Sequence, residues 1–171
     1  MTMLRPHGPR REDTARTQPG GATVADIRTM EGDQALAVIM LRDWFDGPQG
    51  QARVSQTFLQ ELGAQAGAGA IDAWADFGAL ISDGTRRDVM RHSVNCRCVG
   101  ADEAVLAQVI SLAARGARED AMLILSLLVT GERLLPAIQT VEQVGAALLR
   151  ISQSWRRAAL RPTSAADARL H

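Results

Sequence analysis

This chain has no lysine and no tyrosine, so all 19 of its cationic side chains are arginine. Schiff-base and lysine-nucleophile mechanisms are thereby excluded, as are a phenolic general acid and a tyrosine nucleophile. Only two cysteines occur among 171 residues. They cannot form a disulfide framework, and a Cys-x-Cys bridge would close a small, strained ring. Long apolar runs are also missing. The longest strongly apolar stretch, Ala121 to Val129, is well short of the about 20 residues that cross a bilayer as a helix. No apolar segment follows the Arg-, Pro- and Gly-rich start from Met1 to Gly21, as a secretory signal would require. These absences lead us to expect a soluble, cytoplasmic protein with reduced thiols and no transmembrane segment.

Charge of either sign is not in excess: the formal net charge is zero, so no global field draws the chain to nucleic acid or anionic lipid. Its distribution is uneven. Residues 1–32 hold five Arg against four acids, residues 33–150 ten against fourteen, and residues 151–171 four against one. A mildly acidic body thus lies between basic ends.

The length suits one domain with extensions. Residues 1–32 carry Pro6, Pro9, Pro19 and Gly20-Gly21 without hydrophobic periodicity. Such a segment buries too little apolar surface to offset its ordering entropy. It is expected to be a flexible extension, with at most a helical turn near Val24 to Met30. From Asp33, which can cap a helix, the pattern becomes helical. A first helix carries Leu36 to Leu41, Trp44 and Phe45 and is apolar almost all round, which suits a central position. Pro48 opens a second with Val54, Phe58, Leu59 and Leu62, ending at the Gly63 to Gly69 stretch. A third presents Ile71, Trp74, Phe77 and Ile81.

Thr85-Arg-Arg-Asp88 then resembles a capping box. Val89, His92, Cys96 and Val99 follow at helical spacing, which predicts a helix from Arg86 to about Cys96, closed by a left-handed Gly100. Asp102-Glu103 start another helix at its positive end, and Gly116 ends it. Arg118-Glu119-Asp120 open a Leu-rich helix. Pro136 is expected in the first turn of a long last helix, with Ile138, Val141, Leu148 and Ile151 on its stripe. The fold class is therefore all-α: a compact bundle of six or seven short to medium helices over residues 33–155, between the N-terminal extension and a flexible basic tail, residues 156–171.

Both cysteines and the one histidine away from the termini fall within His92-Ser-Val-Asn-Cys96-Arg-Cys98. Helical phase places His92 and Cys96 on one face and Cys98 nearly opposite. The two cysteines can share one ion only if the chain leaves the helix at Cys96. His92, Cys96 and Cys98, with Asp102 or Glu103 as an oxygen ligand, would then suit Zn²⁺. His92-x3-Cys96 loosely resembles the His-x3-Cys-x2-Cys motif of zinc-binding anti-sigma factors, small helical regulators, although Cys98 arrives one residue early. The resemblance spans seven residues and implies zinc binding by His92, Cys96 and Cys98, with redox release of a partner in some members. A second chemistry is a reactive thiol: Arg97 and Arg91 supply positive potential, and His92 could activate Cys96. The third reading is structural, because cysteine packs well as a small hydrophobe.

Other constellations offer less. Asp72 and Asp76 form an i,i+4 acidic pair that reads as a solvated face, and no Glu-x-x-His occurs. The helix after Gly116 is too apolar to read bases, which argues against a nucleic-acid partner. Arg150, Trp155, Arg156, Arg157 and Arg161 make a basic end that suits the helix dipole and leaves weak membrane-surface contact open. We expect no catalytic constellation and a non-enzymatic helical interaction or regulatory protein, with a protein partner or self-association and no cofactor. The alternative is a zinc-binding or thiol redox-sensing regulator using His92, Cys96 and Cys98, and the third is a thiol-dependent enzyme.

Overall fold

Six α-helices form the body of the protein, in a computed structural model that describes residues 20–160. They are α1 (Gly32–Trp44), α2 (Pro48–Leu62), α3 (Ala64–Asp83), α4 (Ala101–Ala114), α5 (Arg118–Leu128) and α6 (Gly131–Leu160). The one sheet among the described residues pairs β1 (Thr23–Asp26) antiparallel with β2 (Cys98–Gly100), with Ala25 opposite Val99 and Asp26 opposite Cys98. A 3-10 turn, Ile27–Thr29, leads from β1 to α1. The all-α class expected from periodicity is the observed one.

The helices bury what their patterns promised. In α1, Leu36, Ala37, Val38, Met40 and Leu41 are all buried, so this helix does run through the core. Pro48 opens α2 behind Gly47, whose φ of 97° suits glycine. Phe58 from α2 meets Trp74 of α3 with ring centroids 5.9 Å apart, and Trp74 meets Phe77 at 5.4 Å. These tilted pairs fill the centre between the two helices. The long α6 packs along α4, where Gly145 comes so close that an added Cβ would lie 2.6 Å from the Ile110 carbonyl oxygen.

Several boundaries differ from expectation, each for a packing reason. The Gly63 to Gly69 stretch does not break the chain for long, since α3 already begins at Ala64. Gly67 faces α2, and a Cβ there would stand 2.8 Å from the Leu59 Cα. Close helix packing uses a residue whose propensity alone argues for a break. Asp33 does not cap α1. It lies in the first turn, buried, with its carboxylate on Arg115 at the other end of α4. Pro136 sits one turn inside α6 rather than in its first turn.

The expected flexible extension 1–32 is structured over its described part. Residues 1–19 lie outside the described residues, but residues 20–31 hold β1 and the 3-10 turn. At the other end α6 continues to Leu160, past the expected limit of 155, and the rest of the basic tail, from residue 161, lies outside the described residues. Among the described residues no helix is long and apolar enough to cross a membrane.

Candidate functional site: the Cys96–Cys98 loop

The segment between α3 and β2 is where structure and expectation part most. Residues 85–97 are not helical. Thr85 caps nothing: its hydroxyl turns to the Ile81 and Arg87 carbonyl oxygens. Gly100 is not left-handed. Its φ of −75° places it as the extended cap residue of α4.

A helix fails here because the core helices take the backbone groups that a helix would have satisfied internally. The Met90 N–H donates to Asp102 Oδ2 at 2.9 Å, and the His92 N–H to Glu103 Oε1 at 3.1 Å. The carbonyls of Ser93, Cys96 and Cys98 all accept from Arg42, at 3.3, 2.6 and 2.7 Å. Arg86 fixes the start of the loop on α5, through its N–H to the Leu128 carbonyl and its Nε to the Val129 carbonyl. Intrinsic preference does not resist, since His, Ser, Val, Asn and Cys are all mediocre helix formers.

Arg42 is the centre of this arrangement. It follows the apolar stripe of α1, and its side chain is 1% exposed. Nε and Nη2 form a fork onto the two carboxylate oxygens of Glu103, each at 2.7 Å. With the three loop carbonyls, all five guanidinium N–H groups have acceptors. Glu103, itself fully buried, also accepts from the Gly100 N–H at 2.9 Å, as the N3 residue of a capping box does. The His92 ring is buried too, with Nδ1 3.3 Å from Glu103 Oε2. Arg42 and Glu103 thus tie α1, α4 and the loop together at one point.

Asp102, one residue before Glu103, takes a different partner. Arg87 grips both its carboxylate oxygens at 2.6 Å. Burial pushes this carboxyl's pKa up, but the hydrogen bonds from Arg87 and from the Met90 N–H outweigh burial and hold it below the usual range. Gly20, at a φ of 90°, packs directly on the Asp102 carboxylate. Near the other edge of the loop Asp26 is held at about 2 by its hydrogen bonds from Arg28.

The two cysteines are joined. Cys96 and Cys98 form a disulfide with Cα atoms 5.4 Å apart, inside the ordinary range. No free cysteine remains, so the expected reduced thiols are oxidised here. A turn precedes the pair, with the Cys96 N–H donating to the Ser93 carbonyl at 3.0 Å, and the chain bends through Arg97 so that the two sulfurs meet. Both cysteines are half-buried, while Asn95 before them and Arg97 between them are exposed. Beside it opens a groove of about 770 Å³ lined by Phe45, Ile81, Val89, Met90, Arg91 and Asn95, among others. There the Arg91 guanidinium stands 4.0 Å over the Phe45 ring, and burial lowers its pKa against the pull of Glu103 and Asp88.

The four expected metal ligands are therefore neighbours in the fold with other engagements. Cys96 and Cys98 are bonded to each other, His92 lies against Glu103, and Asp102 is held by Arg87. Among the described residues no group of three or more His, Cys, Asp or Glu side chains is arranged to hold a metal ion. In this oxidised form the His92–Cys96 pair has no thiol to activate.

No family model, curated protein or solved structure matches this chain.

Elsewhere the expected features are where the sequence put them. Asp72 and Asp76 are both exposed on α3. Arg150, Trp155, Arg156 and Arg157 are exposed along the end of α6, with Arg156 3.6 Å from Glu31, and Arg161 lies outside the described residues. Sequence reasoning missed Arg42, whose signal was a charged residue directly after five core positions of an apolar helix. It also missed Arg87 as the partner of Asp102.

Proposed function

We propose that this chain is a non-enzymatic regulatory or interaction protein whose state is set by the Cys96–Cys98 thiol–disulfide couple. The observation that carries this reading is a half-buried disulfide beside exposed Asn95 and Arg97, on a loop whose backbone hangs from one buried arginine. Exposed disulfides are the labile, regulatory kind, and here oxidation state and loop conformation are coupled through Arg42.

The chemistry is ordinary thiol–disulfide exchange. A thiolate of a cytoplasmic dithiol reductant attacks one sulfur of the pair, and the other leaves as a thiolate that takes up a proton. The second thiol of the reductant then displaces the remaining cysteine. The protein gains two electrons and two protons, and the reductant departs as its own disulfide. Reduction removes the short tether between residues 96 and 98, while the hydrogen bonds to Arg42, Asp102 and Glu103 and the β1 pairing remain. A partner that reads the loop or the adjoining groove would then meet a different surface.

The test is reduction of the native protein with excess dithiothreitol, followed by thiol counting and amide hydrogen exchange. The expected result is two titratable thiols without unfolding, and faster exchange over residues 92–100 with α2 and α3 unchanged. Resistance to reduction until denaturant is added would refute the reading, as would identical exchange in both states. Zinc is the competing reading for the reduced protein, where both cysteines could supply thiolates. Stoichiometric zinc that is lost in Cys96→Ser and Cys98→Ser would replace the redox proposal with it.

A further inference from the structure

Three arginines among the described residues are not exposed: Arg42, Arg91 and Arg118. Arg42 has the Glu103 carboxylate, and Arg118 has that of Glu142. Arg91 has no carboxylate partner among the described residues. Its guanidinium lies 4.0 Å over the Phe45 ring, and the one acceptor it meets there is the Val89 carbonyl, 3.1 Å from Nη1. Burial works against this cation, lowering its pKa despite the pull of Glu103 and Asp88. A half-buried guanidinium with unfilled N–H groups is costly until an acceptor reaches it. Arg91 lines the groove of about 770 Å³ between the ends of α1 and α3 and the loop, a volume typical of small-molecule sites. The apolar walls of that groove are Phe45, Ile81, Val89, Met90 and Val94.

We propose that this groove binds a small organic anion, an apolar body bearing one carboxylate, with the carboxylate on Arg91 and the body along the apolar walls. The guanidinium fork matches a carboxylate, and stacking on Phe45 fixes the plane of the fork in advance. The site has room for one negative charge and no more. Arg42 also lines the groove, but its N–H groups are taken by Glu103 and the loop carbonyls. Two carboxylates belong to the groove as well. Asp46 lies 3.5 Å from Arg53, and Asp88 is exposed. Neither bonds to Arg91, and both disfavour a more highly charged anion such as phosphate. None of these contacts involves the Cys96 or Cys98 side chain, so the proposal stands apart from the redox reading.

Titration of the full chain with phenylacetate, followed through its amide NMR shifts, tests this. Saturable shifts are expected at Phe45, Ile81 and residues 89–91. Phenylacetamide, which keeps the body and loses the charge, should bind roughly tenfold more weakly, since a hydrogen bond to a charged group is lost. Arg91→Gln should abolish phenylacetate binding with an unchanged circular dichroism spectrum, and Asp88→Asn should tighten it by removing a repelling charge. If Arg91→Gln does not fold, the comparison of acid and amide on the wild type decides. The proposal is overturned by the absence of saturable shifts with phenylacetate, by equal binding of acid and amide, or by tighter binding of inorganic phosphate. A folded Arg91→Gln that binds like wild type overturns it too, as do weaker binding in Asp88→Asn and shifts centred on exposed Leu123 and Leu127 instead of the groove.

Discussion

Replacing Arg42 by methionine tests whether a single buried cation organises the site. The side chain is 1% exposed and faces a carboxylate that is 0% exposed. Methionine keeps most of the volume and removes all five donors. Glu103 would retain only the His92 and Gly100 N–H groups and its contact with the His92 ring. The Ser93, Cys96 and Cys98 carbonyls would lose their guanidinium donor. Breaking one side of a buried ion pair costs about 3–5 kcal/mol, against a total stability of about 5–15 kcal/mol for a domain. The expected outcome is a large fall in the urea midpoint, read by circular dichroism. Most of that cost is the stranded charge. Glu103→Gln added to Arg42→Met should therefore be less damaging than the two single changes summed, by about 1–3 kcal/mol. Arg42→Lys keeps the charge but has three donors and no planar fork, so it should rescue little. An Arg42→Met loss below about 1 kcal/mol, where a buried ion pair predicts 3–5, would refute the assignment. Strict additivity in the double variant would refute it too.

Two further outcomes follow from named contacts. Gly145→Ala should lower the melting temperature. Alanine gains about 1 kcal/mol in helix propensity, but its Cβ would crowd the Ile110 carbonyl and the Ala114 Cβ, and overpacking costs about 1–3 kcal/mol. A higher melting temperature would refute the close crossing of α4 and α6. Acid should destabilise the protein through Asp33 and Asp102. In both, burial raises the pKa, but the hydrogen bonds from Arg115 and Arg87 outweigh it, so the folded values lie below the unfolded ones. Their stabilisation is complete above the unfolded carboxylate value of about 3.9 and is lost as pH falls through the lower folded values. Denaturant midpoints measured from neutral to strongly acidic pH should drop over that window, and Asp102→Asn should flatten the slope. An unchanged slope in that variant would count against the Arg87 pair.

The resemblance of His92-x3-Cys96 to a zinc motif shows how periodicity can mislead. Val89, His92, Cys96 and Val99 have helical spacing, and Val89, His92 and Val99 are indeed buried. Burial at those positions comes from a loop pressed onto the core rather than from a helix face. Glycine misled in the opposite sense, since Gly67 marks a close helix contact and not a break.

The sequence by itself determined the helical body. Apolar residues at helical spacing, Pro48 at a helix start and acids in the first turns of α4 and α5 act within a few residues of one another, so they can be read locally. Only the tertiary structure decided the chemistry of the site. The carbonyls that keep residues 93–98 out of a helix are held by a guanidinium 51 to 56 residues away in sequence. The carboxylate that fixes that guanidinium lies a further part of the chain away, at Glu103. A loop satisfied by such distant partners has no local signature. Its bend through Arg97 brings into a bonded pair two cysteines that a regular helix would have pointed apart.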